Sequence, residues 1–225
     1  MNKVSAIILA AGNGSRFGEK KQFKKLNGKP IWAHSLNTFI QSKFIDELIL
    51  VIPSNSIGPI KQSQIFTLLS RQNNIKLVSG GKSRKDSVLN GLKVVKKIND
   101  IVCIHDAARP FIKTSYIKHT IEACSEFDGA IVATPAVDTV KKVENQIIKK
   151  TIDRNFLWMA QTPQTFNKEK LLYAIKKFSH LNFTDESMLM EEAGLKIKLI
   201  KGDYSNLKIT NGIDWELAKV IDKGE

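Results

Sequence analysis

The chain has 225 residues, of which 42% are hydrophobic and 25% are charged. This length suits one α/β domain spanning residues 1–225. No apolar run approaches the roughly 20 residues that a membrane-spanning helix needs, so we expect no membrane partner. The two cysteines, Cys103 and Cys124, exclude a disulfide framework and fit a reducing, cytoplasmic location.

The formal net charge of +13 is carried by 30 lysines and five arginines. A basic nucleic-acid-binding protein is therefore one alternative function. We expect no nucleic-acid partner, because the lysines are scattered and no basic motif interleaved with aromatic residues is present. Arginine suits planar, bidentate phosphate contacts. Four of the five arginines lie in the motifs described below, although chance clustering is an alternative for so few residues: Arg16, Arg84, Arg109 and Arg154.

The apolar run Val4–Leu9 predicts a buried first strand rather than a signal peptide, and a glycine-rich turn at residues 10–18 follows it. Glycines allow a ligand to approach the backbone closely, and Arg16 and Lys21 add positive charge at this turn. These features predict a polyphosphate site. The glycine spacing is neither the dinucleotide fingerprint nor a P-loop, and an ordinary turn is the alternative.

Short apolar runs alternate with helix-like stretches along the chain. After the first strand, the predicted strands are Leu48–Ile52, Ile75–Val78, Ile101–Ile104, Ala130–Thr134 and Ile197–Ile200. The predicted helices are Pro30–Ser42, Ile60–Leu69, Val88–Ile98 and Ser115–Ser125. This alternation predicts an α/β fold with a Rossmann-like, mainly parallel sheet flanked by helices on both faces.

A second glycine motif, Ser79–Ser87, lies between a predicted strand and a predicted helix. Backbone amides at the start of that helix, together with Arg84 and Ser87, are predicted to bind a second part of the same ligand. The alternative is that Asp86 or Ser87 acts only as the helix N-cap. Both interpretations can hold together.

A third motif, His105–Pro110, ends the apolar run at residues 101–104. Ligands of open α/β sheets bind at the carboxyl ends of strands, where Asp106 and Arg109 would supply opposite charges. A structural ion pair is the alternative for these two residues. We expect His105 to be a hydrogen-bonded structural histidine, because the four histidines are dispersed and no general base is evident.

Residues Thr139–Ile152 differ from the rest of the chain. They are rich in lysine, with β-branched residues on both sides of Glu144-Asn145. This pattern predicts an exposed hairpin. We refer to residues 136–154, which contain the hairpin, as the arm.

Taken in order, these motifs resemble the 2-C-methyl-D-erythritol 4-phosphate cytidylyltransferases of the non-mevalonate isoprenoid pathway. The resemblance spans nearly the whole chain, and five further segments match the family: residues 138–141, 151–155, 161–164, 184–186 and 206–210. Ribitol-5-phosphate cytidylyltransferases are close relatives and give the alternative acceptor. They tend to differ at the first turn and at the alanine pair before Arg109, where this chain is similar to the isoprenoid branch.

The resemblance implies a nucleotidyltransferase that uses CTP and a sugar-alcohol phosphate. It implies catalytic roles for Arg16, Lys21, Arg154 and Lys208. For CTP we expect contacts from Ala11, Gly12, Gly14, Gly81, Arg84, Ser87 and Ala107. For methylerythritol phosphate the resemblance implies Asp106, Arg109, Thr139, Arg154, Thr162 and Lys208.

The resemblance also implies a homodimer in which the arm reaches across to the partner, so that Thr139 and Arg154 serve the partner's site. We expect Mg²⁺ as the cofactor, bound mainly through the triphosphate with several waters retained and no dedicated protein site. Asp106 is a possible protein contact for that ion, ranked below its role toward substrate.

Overall fold

The computed structural model describes residues 2–12, 14, 17–71, 73–181 and 183–224. Arg16, one of the candidate site residues, lies outside them. The strands are β1 (Val4–Leu9), β2 (Lys25–Leu26), β3 (Lys29–Pro30), β4 (Glu47–Ile52), β5 (Ile75–Ser79), β6 (Ile101–Asp106), β7 (Gly129–Pro135), β8 (Val140–Glu144), β9 (Ile147–Ile152), β10 (Trp158–Asn167) and β11 (Ile197–Lys201). The helices are α1 (Ile31–Gln41), α2 (Ile57–Gln62), α3 (Gln64–Ser70), α4 (Arg84–Lys93), α5 (Thr114–Ala123), α6 (Lys168–Lys177), α7 (Glu186–Glu192) and α8 (Gly212–Gly224).

Within the described residues, seven strands form the main sheet in the order β11-β7-β10-β6-β1-β4-β5. Strand β1 pairs in parallel with both β4 and β6, β4 with β5, and β7 with β11. Strand β10 is antiparallel to its neighbours β6 and β7. The predicted α/β class with a mainly parallel sheet is therefore confirmed.

Helices cover both faces of this sheet, and each face has its own apolar core. Alternation along β1 divides its side chains between the two cores, with Ala6 and Ile8 on one face and Ile7 on the other. The first core contains Trp32, Leu36, Phe39, Phe66 and Ile117, from α1, α3 and α5. The second contains Val88, Leu92, Leu171, Ala174 and Leu189, from α4, α6 and α7.

A third, smaller cluster packs α8 against the region that follows the glycine-rich turn. Its buried members are Leu26, Ile31, Phe111, Ile209 and Ala218. Phe17, at the end of the turn, and Trp215, on α8, pack against this cluster with ring centroids 6.3 Å apart. The C-terminal helix therefore supports the segment that follows the first strand.

Every predicted strand is present, with small differences at the ends. The strand predicted at 101–104 continues to Asp106, so His105 and Asp106 belong to β6 itself. The helix predicted at 60–69 is wrong as one element: it is two helices separated at Ser63. The Ser63 backbone is extended, and its hydroxyl accepts a hydrogen bond from Phe66 N and so caps α3.

The helix predicted at 88–98 begins earlier and ends earlier than its apolar pattern indicated. Its N-cap is Ser83, so the alternative that Asp86 or Ser87 caps it is wrong. Ser83 and Asp86 form a reciprocal capping box in which each side chain accepts from the other residue's backbone N–H.

Sequence patterns did not predict β10, which lies between two central strands. Its polar residues and Pro163 argue against such a position. The structure accommodates the proline because the pairing with β7 is interrupted between Ala160 and Gln164. Two buried polar side chains of β10 donate to distant partners: Gln164 donates to Asp185 at 2.8 Å, and Thr165 donates to Thr120 at 2.9 Å.

Strands β8 and β9 confirm the predicted hairpin and form a separate two-stranded sheet. The turn lies one residue later than predicted, because Asn145 and Gln146 both have positive φ angles, 49° and 62°. Two successive left-handed residues are typical of the tight turns that join twisted hairpin strands. The side chains at the end of the hairpin, including Ile147 and Ile148, are exposed.

Candidate active site

A cleft of about 350 Å³ lies at the carboxyl ends of β1 and β6. The chain passes from β1 to β4 and β5 on one side and then to β6 on the other, so β1 and β6 flank the position where the strand order reverses. Ligands of open α/β sheets bind at such positions. The lining residues are Leu9, Ala10, Ala11, Gly12, Gly14, Lys21, Gln22, Gly81, Lys82, Ser83, Arg84, Ser87, Asp106, Ala108 and Lys208.

The glycine-rich turn forms one wall of the cleft and requires glycine at residue 14. Gly14 has a φ of 69°, and a Cβ there would lie 1.8 Å from the Glu19 carbonyl oxygen. The buried Gln22 side chain donates to the Gly12 carbonyl at 2.8 Å and so connects the segment after the turn to the first half of the turn. This folded turn places Lys21 on the cleft wall.

The start of α4 and the glycine motif before it form another part of the cleft lining. The Gly81 N–H donates to the Ser87 hydroxyl at 3.1 Å, and that hydroxyl donates to the Ser83 carbonyl at 3.0 Å. Free amides at a helix N-terminus attract anions, and α4 has ten residues. Residues of both glycine motifs therefore line one cleft.

A row of alternating charges joins buried Glu186 to three residues that line the cleft, Arg84, Asp106 and Lys208. The Arg84 guanidinium contacts two carboxylates: Nη1 lies 2.6 Å from Glu186 Oε1, and Nε lies 3.2 Å from Asp106 Oδ1. The Lys208 ammonium lies 2.5 Å from the other oxygen of Asp106. Each oxygen of Asp106 therefore contacts a different cation.

Burial and charge act in opposite directions on these carboxylates. Burial tends to raise the pKa of Asp106, but Arg84 and Lys208 outweigh it and hold that pKa well below its usual range. Burial also raises the pKa of Glu186, and Arg84 only partly offsets this effect. Asp106 is therefore a fixed anion at neutral pH, balanced by two cations.

His105 lies behind this row, fully buried in β6. Its Nε2 donates to the Arg109 carbonyl at 3.1 Å, so its Nδ1 is the acceptor for the Thr162 hydroxyl at 3.0 Å. That hydroxyl in turn accepts from the Asp106 N–H at 3.1 Å. Burial lowers the pKa of His105 to about 4, in agreement with the predicted structural role.

We expect His105 to make the fold less stable as the pH falls below about 6.5. The unfolded chain binds a proton there, whereas folded His105 stays neutral until about pH 4, so acid favours the unfolded state. The free energy of unfolding from denaturant melts should fall by about 1 kcal/mol between pH 7.5 and 5.5 through this residue. His105→Gln should abolish this contribution to the pH dependence of the free energy of unfolding. An unchanged pH dependence in this variant would contradict a buried, neutral His105.

The structure brings together nine of the predicted site residues as cleft lining: Ala11, Gly12, Gly14, Lys21, Gly81, Arg84, Ser87, Asp106 and Lys208. Three others, Ala107, Arg109 and Thr162, are buried behind the lining. Arg109 donates from Nη1 to the Asn206 carbonyl at 2.7 Å, which fixes the segment that carries Lys208.

Two predicted site residues of the arm, Thr139 and Arg154, do not line the cleft of their own chain. Both are exposed. The Arg154 guanidinium donates to the Val137 carbonyl, within the arm. The structure therefore separates these two residues from the nine that it brings together.

Sequence reasoning missed several residues of the cleft. Lys82, Ser83 and Ala108 lie within the quoted motifs but were not assigned to the site, and Gln22 directly follows Lys21. The Ser83-x-x-Asp86 spacing was the signal that could have located the start of α4. Glu186 lies in the segment 184–186 that matches the family, but no local pattern indicated its ion pair with Arg84, which spans 102 residues.

The described residues give little basis for a protein-held metal ion. Among them, no group of three His, Cys, Asp or Glu side chains is placed to hold one. Asp106 is the one carboxylate among the described lining residues. A single carboxylate beside a phosphate-sized space is compatible with Mg²⁺ that the phosphates themselves carry.

The reversed strand order, the two glycine motifs and the cations of the cleft define an α/β protein of the nucleotidyltransferase class. The family model for 2-C-methyl-D-erythritol 4-phosphate cytidylyltransferase (IspD) matches residues 4–223. The chain belongs to this family and is a cytidylyltransferase.

Individual relatives agree with this assignment. A 2-C-methyl-D-erythritol 4-phosphate cytidylyltransferase of Clostridioides difficile is 40% identical over 223 residues, which cover 96% of this chain and 92% of the relative. One of Geotalea uraniireducens is 39% identical and covers 97% of this chain. The crystal structure of 4-diphosphocytidyl-2C-methyl-D-erythritol synthase from Anaerococcus prevotii matches with a TM-score of 0.86 at 33% identity, over 97% of both chains.

Proposed function

We propose that the protein transfers CMP from CTP to 2-C-methyl-D-erythritol 4-phosphate. The products are 4-diphosphocytidyl-2-C-methyl-D-erythritol and pyrophosphate, in the non-mevalonate pathway to isoprenoid precursors. The observation that carries this proposal is the cleft of this family member, where two glycine motifs and the side chains of Lys21, Arg84 and Lys208 surround one space.

The chemistry requires no general base. A phosphate monoester has a second pKa of about 6, so it is already largely an anionic nucleophile at neutral pH. Its oxygen forms a bond to the α-phosphorus of CTP, and the bond from that phosphorus to the bridging oxygen of pyrophosphate breaks. His105 is buried behind Asp106 and hydrogen-bonded at both ring nitrogens, which agrees with a reaction that uses no histidine base.

Catalysis then depends on positioning two anions and stabilising the charge that develops between them. We propose that Lys21 and Arg16 stabilise the α-phosphate in the transition state. The amides at the start of α4 and the glycine-rich turn hold the nucleotide. Lys208 lies on the other side of Asp106 from Arg84, where it can bind the acceptor phosphate.

We propose that Mg²⁺ enters with the triphosphate, where it would neutralise phosphate charge. Asp106, the carboxylate among the described lining residues, would be its protein contact. Residues of the chain position the charged groups of the site. Arg84 and Lys208 orient Asp106, and the glycine-rich turn holds Lys21 on the cleft wall.

We infer that the chain works as a homodimer through the arm. Several large apolar side chains of the arm and of the strand that follows it are exposed, and Phe156 is 82% exposed. Apolar surface of this kind typically marks a protein–protein contact. A second copy packed there would cover Val143, Ile147, Ile148, Phe156 and Met159 and would bring Arg154 and Thr139 to another cleft.

We also propose a cytoplasmic location and one domain from which the arm projects. Both cysteines are free, and Cys103 is fully buried in β6, as expected for a small apolar residue. Within the described part of the chain, no helix has the length and apolarity to cross a membrane. We propose that nucleic acid is not a partner of this protein.

An assay of pyrophosphate release tests the acceptor. With Mg²⁺ and CTP, we expect rapid release with methylerythritol phosphate and poor release with ribitol 5-phosphate. Equal or faster turnover of ribitol 5-phosphate would indicate that the protein is a ribitol-5-phosphate cytidylyltransferase. Tight, steeply salt-dependent binding of DNA duplexes without selective binding of CTP would instead favour the nucleic-acid alternative.

A further inference from the structure

We propose that Glu186 is a positioning residue that acts on the nucleotide through Arg84. It does not line the cleft, and none of the motifs assigned to the site includes it. The inference rests on the proposed function in one respect, namely that Arg84 contacts CTP.

Glu186 is 0% exposed and is the first residue of α7. Its Oε1 accepts from Arg84 Nη1 at 2.6 Å. Its Oε2 has no hydrogen-bond partner among the described residues. A buried carboxylate with one unsatisfied oxygen is costly, and buried ion pairs are often less stabilising than well-packed apolar residues. Stability therefore does not explain this pair, whereas a requirement for one orientation of Arg84 does.

The geometry shows what that orientation achieves. Arg84 donates from Nη1 to Glu186 and from Nε to Asp106. It therefore contacts one oxygen of Asp106, and Lys208 contacts the other. Without Glu186, Asp106 would be the remaining carboxylate partner of Arg84. The planar guanidinium could then rotate and bind both oxygens of Asp106. Lys208 would then lose its partner, and Arg84 would turn toward β6.

The sheet holds Glu186 at a fixed position relative to Asp106. Asp185 caps α7 by accepting from Met188 N, and its other oxygen accepts from Gln164 at 2.8 Å. Gln164 lies on β10 opposite Ile104 of β6, two residues before Asp106. Because these contacts connect the start of α7 to β6, Glu186 is a rigid anchor for the Arg84 guanidinium.

The test is the affinity for Mg–CTP, measured by calorimetry without an acceptor. Glu186→Gln keeps the shape of the side chain and removes its charge. We expect Kd to rise about 10- to 100-fold, the range known for partners that orient metal ligands. The matched control is Glu191→Gln, which removes an exposed carboxylate from the same helix and should leave Kd unchanged.

A double-mutant cycle separates positioning from a general structural effect. If Glu186 acts through Arg84, Glu186→Gln should add little to the loss already caused by Arg84→Ala. Full additivity of the two losses in Kd, or an unchanged Kd in Glu186→Gln, would overturn the proposal.

If Glu186→Gln does not fold, Glu186→Asp provides the second test. It keeps the charge but withdraws the carboxylate by one methylene from Arg84, so Kd should again rise. Wild-type affinity in Glu186→Asp would overturn the proposal. Failure of the proposed function gives a different result, because the unmodified protein would then bind no Mg–CTP or release no pyrophosphate with methylerythritol phosphate.

Discussion

Replacing Lys21 by Ala is expected to lower kcat by about 100- to 1000-fold, the range for losing one preorganised group that stabilises transition-state charge. Lys21 begins a short 3₁₀ helix, Lys21–Phe23, directly after the glycine-rich turn, and it lines the cleft. Because Gly14 and Gln22 fix the fold of this segment, the backbone of Lys21 is held beside the cleft before substrate binds. Steady-state pyrophosphate release at saturating CTP and acceptor measures the effect.

Lys20→Ala is the matched control, because it removes the same charge from the preceding residue, which does not line the cleft. Its kcat should remain close to that of the unmodified protein. Equal losses in both variants would show that the turn acts through its overall charge alone. Arg16→Ala should behave like Lys21→Ala, and Arg16→Lys should not restore full activity, since a point charge lacks the planar fork.

Two inactive variants, Lys21→Ala and Arg154→Ala, are expected to restore activity to each other when they are co-expressed. Arg154 is exposed on the arm and does not line its own cleft, whereas Lys21 does. In a mixed dimer, one cleft carries both substitutions and the other carries neither. Random pairing makes about half of the dimers mixed, so roughly one quarter of all sites should be intact.

Separate affinity tags on the two variants allow the mixed dimer to be purified and assayed alone. Arg71→Ala, which removes an arginine that belongs neither to the arm nor to the cleft lining, replaces Arg154→Ala in the control pair. The Arg71→Ala variant keeps all residues of the cleft, so its own homodimers should be active without co-expression of Lys21→Ala. Mixed dimers of Lys21→Ala and Arg154→Ala with no more activity than either parent would place Arg154 outside the partner's site.

The sequence predicted most of the cleft because its residues lie in short segments next to clear strands. Ala11 and Gly12 follow an apolar run, and Asp106 ends another. The parallel arrangement of these strands brings their carboxyl ends together, and Leu9 lies directly opposite Asp106. Local pattern and sheet topology therefore located the residues at the ends of β1 and β6, whereas Lys208 was assigned only through the resemblance to the family.

Other features depend on contacts that no local pattern records. The antiparallel strand β10 contains Pro163, which lies where pairing with β7 is interrupted, and buried polar residues such as Gln164 and Thr165, which donate hydrogen bonds to distant side chains. The break at Ser63 depends on one capping hydroxyl within an otherwise helical pattern. The roles of the arm residues Thr139 and Arg154 stay predictions, because they concern a second copy of the chain.

The row of charges also has a consequence for the order in which the protein becomes functional. The Arg84–Glu186 and Asp106–Lys208 contacts each join residues 102 positions apart. Closing such long loops is entropically costly and depends on the rest of the fold, and synthesis proceeds from the N-terminus. A growing chain can therefore form the glycine-rich turn and pair β1 with β4 and β6 while Arg84 and Asp106 still lack their distant partners. The cleft becomes electrostatically complete only when the last segments of the chain have been made and folded.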